Sequence, residues 1–171
     1  MNKARIALPL RLYHWTLAAS CIAAWAVESA SRSAHVWLGY VAAAAVLWRM
    51  GYGLWGPPDA RLNTLLHSPR RLVQWLRALL AGRAALAHGY NPLAAWNVLA
   101  MLATVLALGI GGFLLRTDAF WGDETLQTLH ALASDLLWSL VALHLLGLAV
   151  GSWRARYPLP LAMIDGKEPP H

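Results

Sequence analysis

Charge is what this chain has least of. Of its 171 residues only 13% are Asp, Glu, Lys or Arg, about half the share of an ordinary soluble domain. Hydrophobic residues make up 58%, and the mean hydropathy is +0.45. That balance excludes a soluble enzyme and points to an integral membrane protein with lipid as its surroundings. Acids are scarcer than bases, eight against fourteen, for a formal net charge of +6. The excess does not imply nucleic acid, because the Lys and Arg sit at the ends of apolar runs and in one loop, as membrane orientation requires. Cysteine is nearly absent. Cys21 alone excludes an internal disulfide, and the lack of a C-x-x-C-H excludes covalently attached c-type haem. Cys21 reads as a small core residue. The length fits a single domain, 1–171.

What is present is four long apolar runs, about 10–28, 35–54, 92–115 and 125–152. Each is long enough to cross a bilayer, which takes roughly 20 residues. The first has the layout of a signal peptide, with a basic start, an apolar centre and small residues in ESASRSA. It is longer than such a segment and carries Arg11, Tyr13, His14 and Trp15, so it reads as a retained span. Between the second and third runs lies the longest polar stretch, Gly51 to Asn91. It contains a helix with a marked start and stop: Ser68 as N-cap, Pro69 at the first helical position and Gly82 at the end. Leu72, Val73, Leu76, Leu79 and Leu80 form one apolar stripe, with Arg70, Arg71, Gln74 and Arg77 largely off it. Such a helix lies on the membrane surface. The expected fold is therefore all-α: an integral membrane four-helix bundle with an additional amphipathic interfacial helix in the cytoplasmic loop. In the third run Gly109, Gly111 and Gly112 permit a close neighbour or a bend.

The fourth run is interrupted by His130 and His144. At 100° and 1.5 Å per residue they fall within roughly 40° of one another and about 21 Å apart along a helix. Imidazoles inside a span are costly and usually functional. They are axial ligands for haem iron; the alternative is hydrogen bonding to neighbouring helices. Orientation decides between these. Twelve of the fourteen Lys and Arg fall on one side of the four spans, and only Arg32 and Arg116 on the other. The positive-inside rule then puts both termini and the long loop in the cytoplasm. His14 opens an outgoing helix and His144 closes an incoming one, both at the cytoplasmic level. His35 opens an incoming helix at the outer level, where His130 matches it. Two pairs at two depths predict two non-covalent bis-histidine haems b, His14 with His144 and His35 with His130. Zinc usually takes four ligands in one place, which two histidines per level do not supply. Gly39, four residues after His35, removes bulk on the same face. That suits a flat macrocycle, and it equally suits plain helix–helix contact. His67 and His88 flank the loop helix and read as solvated.

Seven segments carry a resemblance: RLYHW (Arg11–Trp15), HVWLGY (His35–Tyr40), WRMGYGLWGPPDAR (Trp48–Arg61), SPRRLVQWLRALLAGR (Ser68–Arg83), YNPLAAWNVLA (Tyr90–Ala100), LHALASDLLWSLVALH (Leu129–His144) and AMIDGK (Ala162–Lys167). In motif and order the chain resembles the prokaryotic cytochrome b561 family, in particular the branch related to the cytochrome b subunit of nickel-iron hydrogenases. Related sequences often have a histidine directly before the Asn-Pro-Leu. Tyr90 stands there in this chain, so His88 takes no family role. The resemblance implies haem ligation by His14, His35, His130 and His144. It also implies electron transfer between a membrane quinone and a periplasmic redox partner such as a hydrogenase, a molybdoenzyme or a c-type cytochrome, in the bacterial inner membrane. A bound quinone is a further ligand that it allows. The alternative activity is a stand-alone superoxide:quinone oxidoreductase. Arg11 and Arg49, at the cytoplasmic level, can neutralise propionates of the inner haem; Arg32 and Arg116 are the basic candidates near the outer one. Trp15, Trp37, Trp48 and Trp138 can pack on porphyrin. Asp135, inside the fourth span, is expected to hydrogen-bond to another helix, at Asn97 or Thr104, with a proton relay as the alternative.

Overall fold

The computed structural model describes residues 6–66, 68–81 and 92–167. Helices dominate, and no sheet occurs among the described residues. Six helices follow one another: α1 (Leu8–Ala26), α2 (Arg32–Trp55), α3 (Pro69–Leu80), α4 (Pro92–Leu114), α5 (Glu124–Ala155) and α6 (Ala162–Asp165). Local chemistry explains their starts. Ser31 Oγ accepts from the Ala34 amide at 3.3 Å and caps α2. Asp123 Oδ1 accepts from the Leu126 amide at 2.7 Å and caps α5. Ser68 Oγ accepts from the Arg71 amide at 3.3 Å, so α3 begins at Pro69 as its sequence predicts. Each cap satisfies an amide that the helix itself leaves unbonded. The expected stop at Gly82, and with it His67, His88 and Tyr90, lies outside the described residues.

Helices α4 and α5 are long and apolar enough to cross a membrane, with windows of mean hydropathy 2.1 and 1.7. By that test α1 and α2 fall short. Arg11, Tyr13, His14 and Trp15 dilute the first, and Arg32, His35, Trp37 and Arg49 the second. At 32 residues, α5 is about 48 Å long, well beyond a hydrocarbon thickness of about 30 Å.

Each long helix packs closely on the next in the order α1–α2–α4–α5, and no comparably close pairing joins α1 to α5. The neighbours are antiparallel. The start of α1 therefore meets the ends of α2 and α5 (here the terminal end), and the α1–α2 and α4–α5 connections share the other (the turn end). Val46 is fully buried at the centre, with Ala42, Leu102, Val105 and Leu137 around it and Tyr13, Leu17 and Cys21 of α1 against them. Cys21 is thus the packed residue its sequence context suggests. The α2–α4 contact depends on a missing side chain: a Cβ at Gly109 would lie 2.8 Å from Cβ of Ala43. Aromatic rings tie α1 to α2, where Trp48 stacks on Tyr13 (centroids 5.9 Å apart) and on Tyr52 (4.8 Å). Asn97 Nδ2 donates to the Leu140 carbonyl at 3.2 Å and ties α4 to α5. Thr104 Oγ1 donates to Ala100 O within its own helix. These bonds correct one expectation. Asn97 and Thr104 are engaged elsewhere, and Asp135 is exposed, with no hydrogen bond to its carboxylate among the described residues.

The tail after Arg154 folds back, with α6 and the residues after it against α1. The Ile6 amide donates to Gly166 O at 2.9 Å. Gly166 adopts φ +77°, a conformation glycine takes at little cost, and it ends α6.

Candidate functional site

Two histidine pairs form, one toward each end of the long helices. At the turn end the rings of His35 on α2 and His130 on α5 have centroids 6.3 Å apart, with planes inclined at 66°. An ion bound to one nitrogen of each ring, at about 2 Å, separates two imidazole centres by roughly 6 Å. The observed spacing therefore accommodates a single metal atom between them. His35 Nδ1 lies 2.9 Å from the Ala24 carbonyl. That bond orients the ring and leaves Nε2 for another partner, the usual arrangement of a metal-ligating histidine. His130 Nδ1 is buried with no hydrogen-bond partner. Space beside the ring comes from α4. A Cβ at Gly111 would lie 3.4 Å from His130 Nδ1, and one at Gly112 would lie 3.4 Å from its Cε1. The glycine cluster thus serves a close approach, not a bend, and it is the feature of the site least legible in the sequence. A Cβ at Gly39 would meet nothing within 4 Å, so open space lies beside Gly39, one turn after His35.

At the terminal end His14 of α1 and His144 of α5 lie within electrostatic reach of each other. Both are half-buried, and His14 Nδ1 is buried and unpartnered like that of His130. The two pairs come from opposite ends of α5, about 21 Å apart by helical rise. Among the described residues no three of His, Cys, Asp and Glu gather at one point, so each level could offer two imidazoles and no further protein ligand of these types. This donor set suits a metal carried in a planar macrocycle, which supplies the other four ligands itself.

The charged and aromatic candidates divide. Arg49 is half-buried, and its Nη1 is buried without a hydrogen-bond partner. A free cationic donor near the His14 level suits a carboxylate. Arg11 donates to the Ile164 carbonyl at 2.6 Å, while its Nε is unpartnered. Trp15 Nε1 donates to Met163 O at 2.9 Å. Both therefore hold the AMIDGK segment against α1, a role their sequence positions do not announce. Trp48 belongs to the α1–α2 stack described above, Trp37 is 70% exposed, and Trp138 meets Trp25 across the α1–α5 gap at 5.2 Å. At the turn end Arg32 lies over the Trp121 ring at 5.4 Å. It lines a cavity of about 340 Å³ with Leu115, Trp121, Gly122 and Gln127. Arg32 and Gln127 each precede a paired histidine by three residues, one helical turn.

Four half-buried imidazoles on long apolar helices, His35 beside His130 and His14 within electrostatic reach of His144, are the kind of donor set a helical haem protein could use. Comparison with known families identifies which one. The family described as prokaryotic cytochrome b561 matches residues 5–166, nearly the whole chain, and the chain belongs to that family. The hydrogenase-related branch suggested by its motifs fits this assignment. Membership makes it a transmembrane b-type cytochrome of electron transport, carrying haem. No curated protein and no solved structure matches the chain.

Proposed function

We propose that this protein is a di-haem cytochrome b passing electrons between the membrane quinone pool and a periplasmic redox partner, the four long helices crossing the bacterial inner membrane as a bundle. Both termini are cytoplasmic, and α3 lies in the cytoplasmic interface with Val73 and Leu80 toward lipid. The observation that carries this reading is the 6.3 Å spacing of His35 and His130; at the other end His14 and His144 lie within electrostatic reach of each other. Haem held by these histidines would supply one-electron transfer. His35, oriented by the Ala24 carbonyl, and His130, fitted against Gly111 and Gly112, hold the outer group. His14 and His144 hold the inner one, with the unpartnered Nη1 of Arg49 neutralising a propionate. Arg32 and Gln127, one turn outside the outer pair, present donors to polar groups reaching the surface. Burial and these charges set the potentials.

Extraction with acid–acetone should release two haems b per chain, and reduced-minus-oxidised spectra should resolve two components. His14→Ala and His144→Ala should remove one component, and His35→Ala and His130→Ala the other. The double variant His14→Ala/His144→Ala should retain one haem. One haem per chain, or loss of the same component from His14→Ala and His35→Ala, would overturn the reading.

A further inference from the structure

Asp135 is the one acid in the middle of α5, a helix long and apolar enough to span the membrane. It follows His130 by five residues and precedes His144 by nine, so it lies between the two histidine levels, about 7.5 Å and about 13.5 Å from them along the axis. Around the axis it points elsewhere. From Glu124 to Ser152, every α5 residue at least partly covered by the rest of the protein lies within roughly 80° of His130. Asp135 sits about 140° from His130 and about 180° from His144. It is exposed, and no described side chain bonds to its carboxylate. The side chain is therefore not part of the haem face. It is a carboxylate on the outer wall of a membrane helix, where ionisable groups are rare and normally paired.

The surroundings decide what pairs with it. The nearby hydroxyls are already engaged, Ser139 Oγ donating to Asp135 O at 2.9 Å and Thr128 Oγ1 to Glu124 O at 2.8 Å. A second copy related by an axis along the membrane normal would bring its own Asp135 to the same depth, carboxylate against carboxylate, with no basic residue. The arginines of the long membrane helices α1 and α2 lie toward their ends, as Arg11, Arg32 and Arg49. Ala131, Ser139 and Ala142 flank Asp135 on the same exposed face and let another backbone come close. We infer that this face of α5 docks a transmembrane helix of a different protein, one that brings a lysine or arginine to the depth of Asp135. The charge pair fixes its register, and the small side chains allow its approach.

The test uses the full-length protein in its native membranes, with p-benzoyl-phenylalanine introduced at Ala131 or, separately, at Ala142. Irradiation should yield an adduct with one other integral membrane protein, and the cross-linked peptide should be an apolar segment containing Lys or Arg. Asp135→Leu should reduce that adduct at least tenfold. Asp135→Asn, which keeps the shape, should reduce it at least fivefold and serves if the leucine variant does not accumulate. Haem absorbance should be unchanged in both, which reads the proposed electron-transfer site separately. Adducts with lipid only, with a second copy of this chain, with a segment lacking a basic residue, or undiminished by both substitutions would overturn the inference.

Discussion

The close crossing of α2 and α4 depends on Ala43 and Gly109. A methyl group at Gly109 would meet the Ala43 Cβ at 2.8 Å, whereas carbon atoms prefer about 3.5–4.0 Å. Gly109→Ala must therefore push the helices apart by about 1 Å. Overpacking of this kind costs about 1–3 kcal/mol, and alanine returns about 1 kcal/mol through helix propensity. The net loss for the single variant is small, about 1 kcal/mol by these figures. The informative quantity is the interaction with Ala43→Gly, which removes the opposing methyl. The double variant should be more stable than the sum of the singles predicts, by about 1–3 kcal/mol. The assay is reversible unfolding in detergent by denaturant, with haem absorbance followed in parallel. Because α2 carries His35 and α4 carries the glycines beside His130, Gly109→Ala should also weaken retention of the outer haem more than the inner, and Ala43→Gly should restore it. Additivity of the two substitutions within about 0.5 kcal/mol would refute the packing argument.

Three further outcomes follow from the site. Gly112→Val places branched carbon against His130 Cε1, where even a Cβ would lie at 3.4 Å; it should remove the outer spectral component and leave the inner one intact. Arg49→Leu removes the unpartnered cationic donor beside the inner site. A nearby positive charge favours the reduced form, so the midpoint potential of the inner haem should fall in a redox titration, with the outer one unmoved. Gln74→Cys, made in a Cys21→Ser background, should react with a membrane-impermeant maleimide from the cytoplasmic side, and labelling only from outside would reverse the topology.

The features legible in the sequence are those set by local periodicity and by the chemistry of single side chains. Four apolar runs, a Ser-Pro helix start and histidines at fixed spacing each depend on residues within one segment. The helices accordingly begin within a few residues of the expected points, α5 at Glu124 and α3 at Pro69. The histidine spacing on α5 also follows from helical rise alone. Which side chains meet across helices does not follow from any one segment. Gly111 and Gly112 read equally as a bend or a contact until α4 lies against His130. Arg11 and Trp15 read from the sequence only as groups for a cofactor; their bonds to the carbonyls of Ile164 and Met163 appear only when the chain returns from the far end of α5. Asn97 is a plausible partner for Asp135 by depth, but it faces the Leu140 carbonyl, while Asp135 lies on the opposite wall of the same helix. Period and spacing determine which residues share a face of their own helix. Rotation about the axis, decided only when four helices pack together, determines what that face meets.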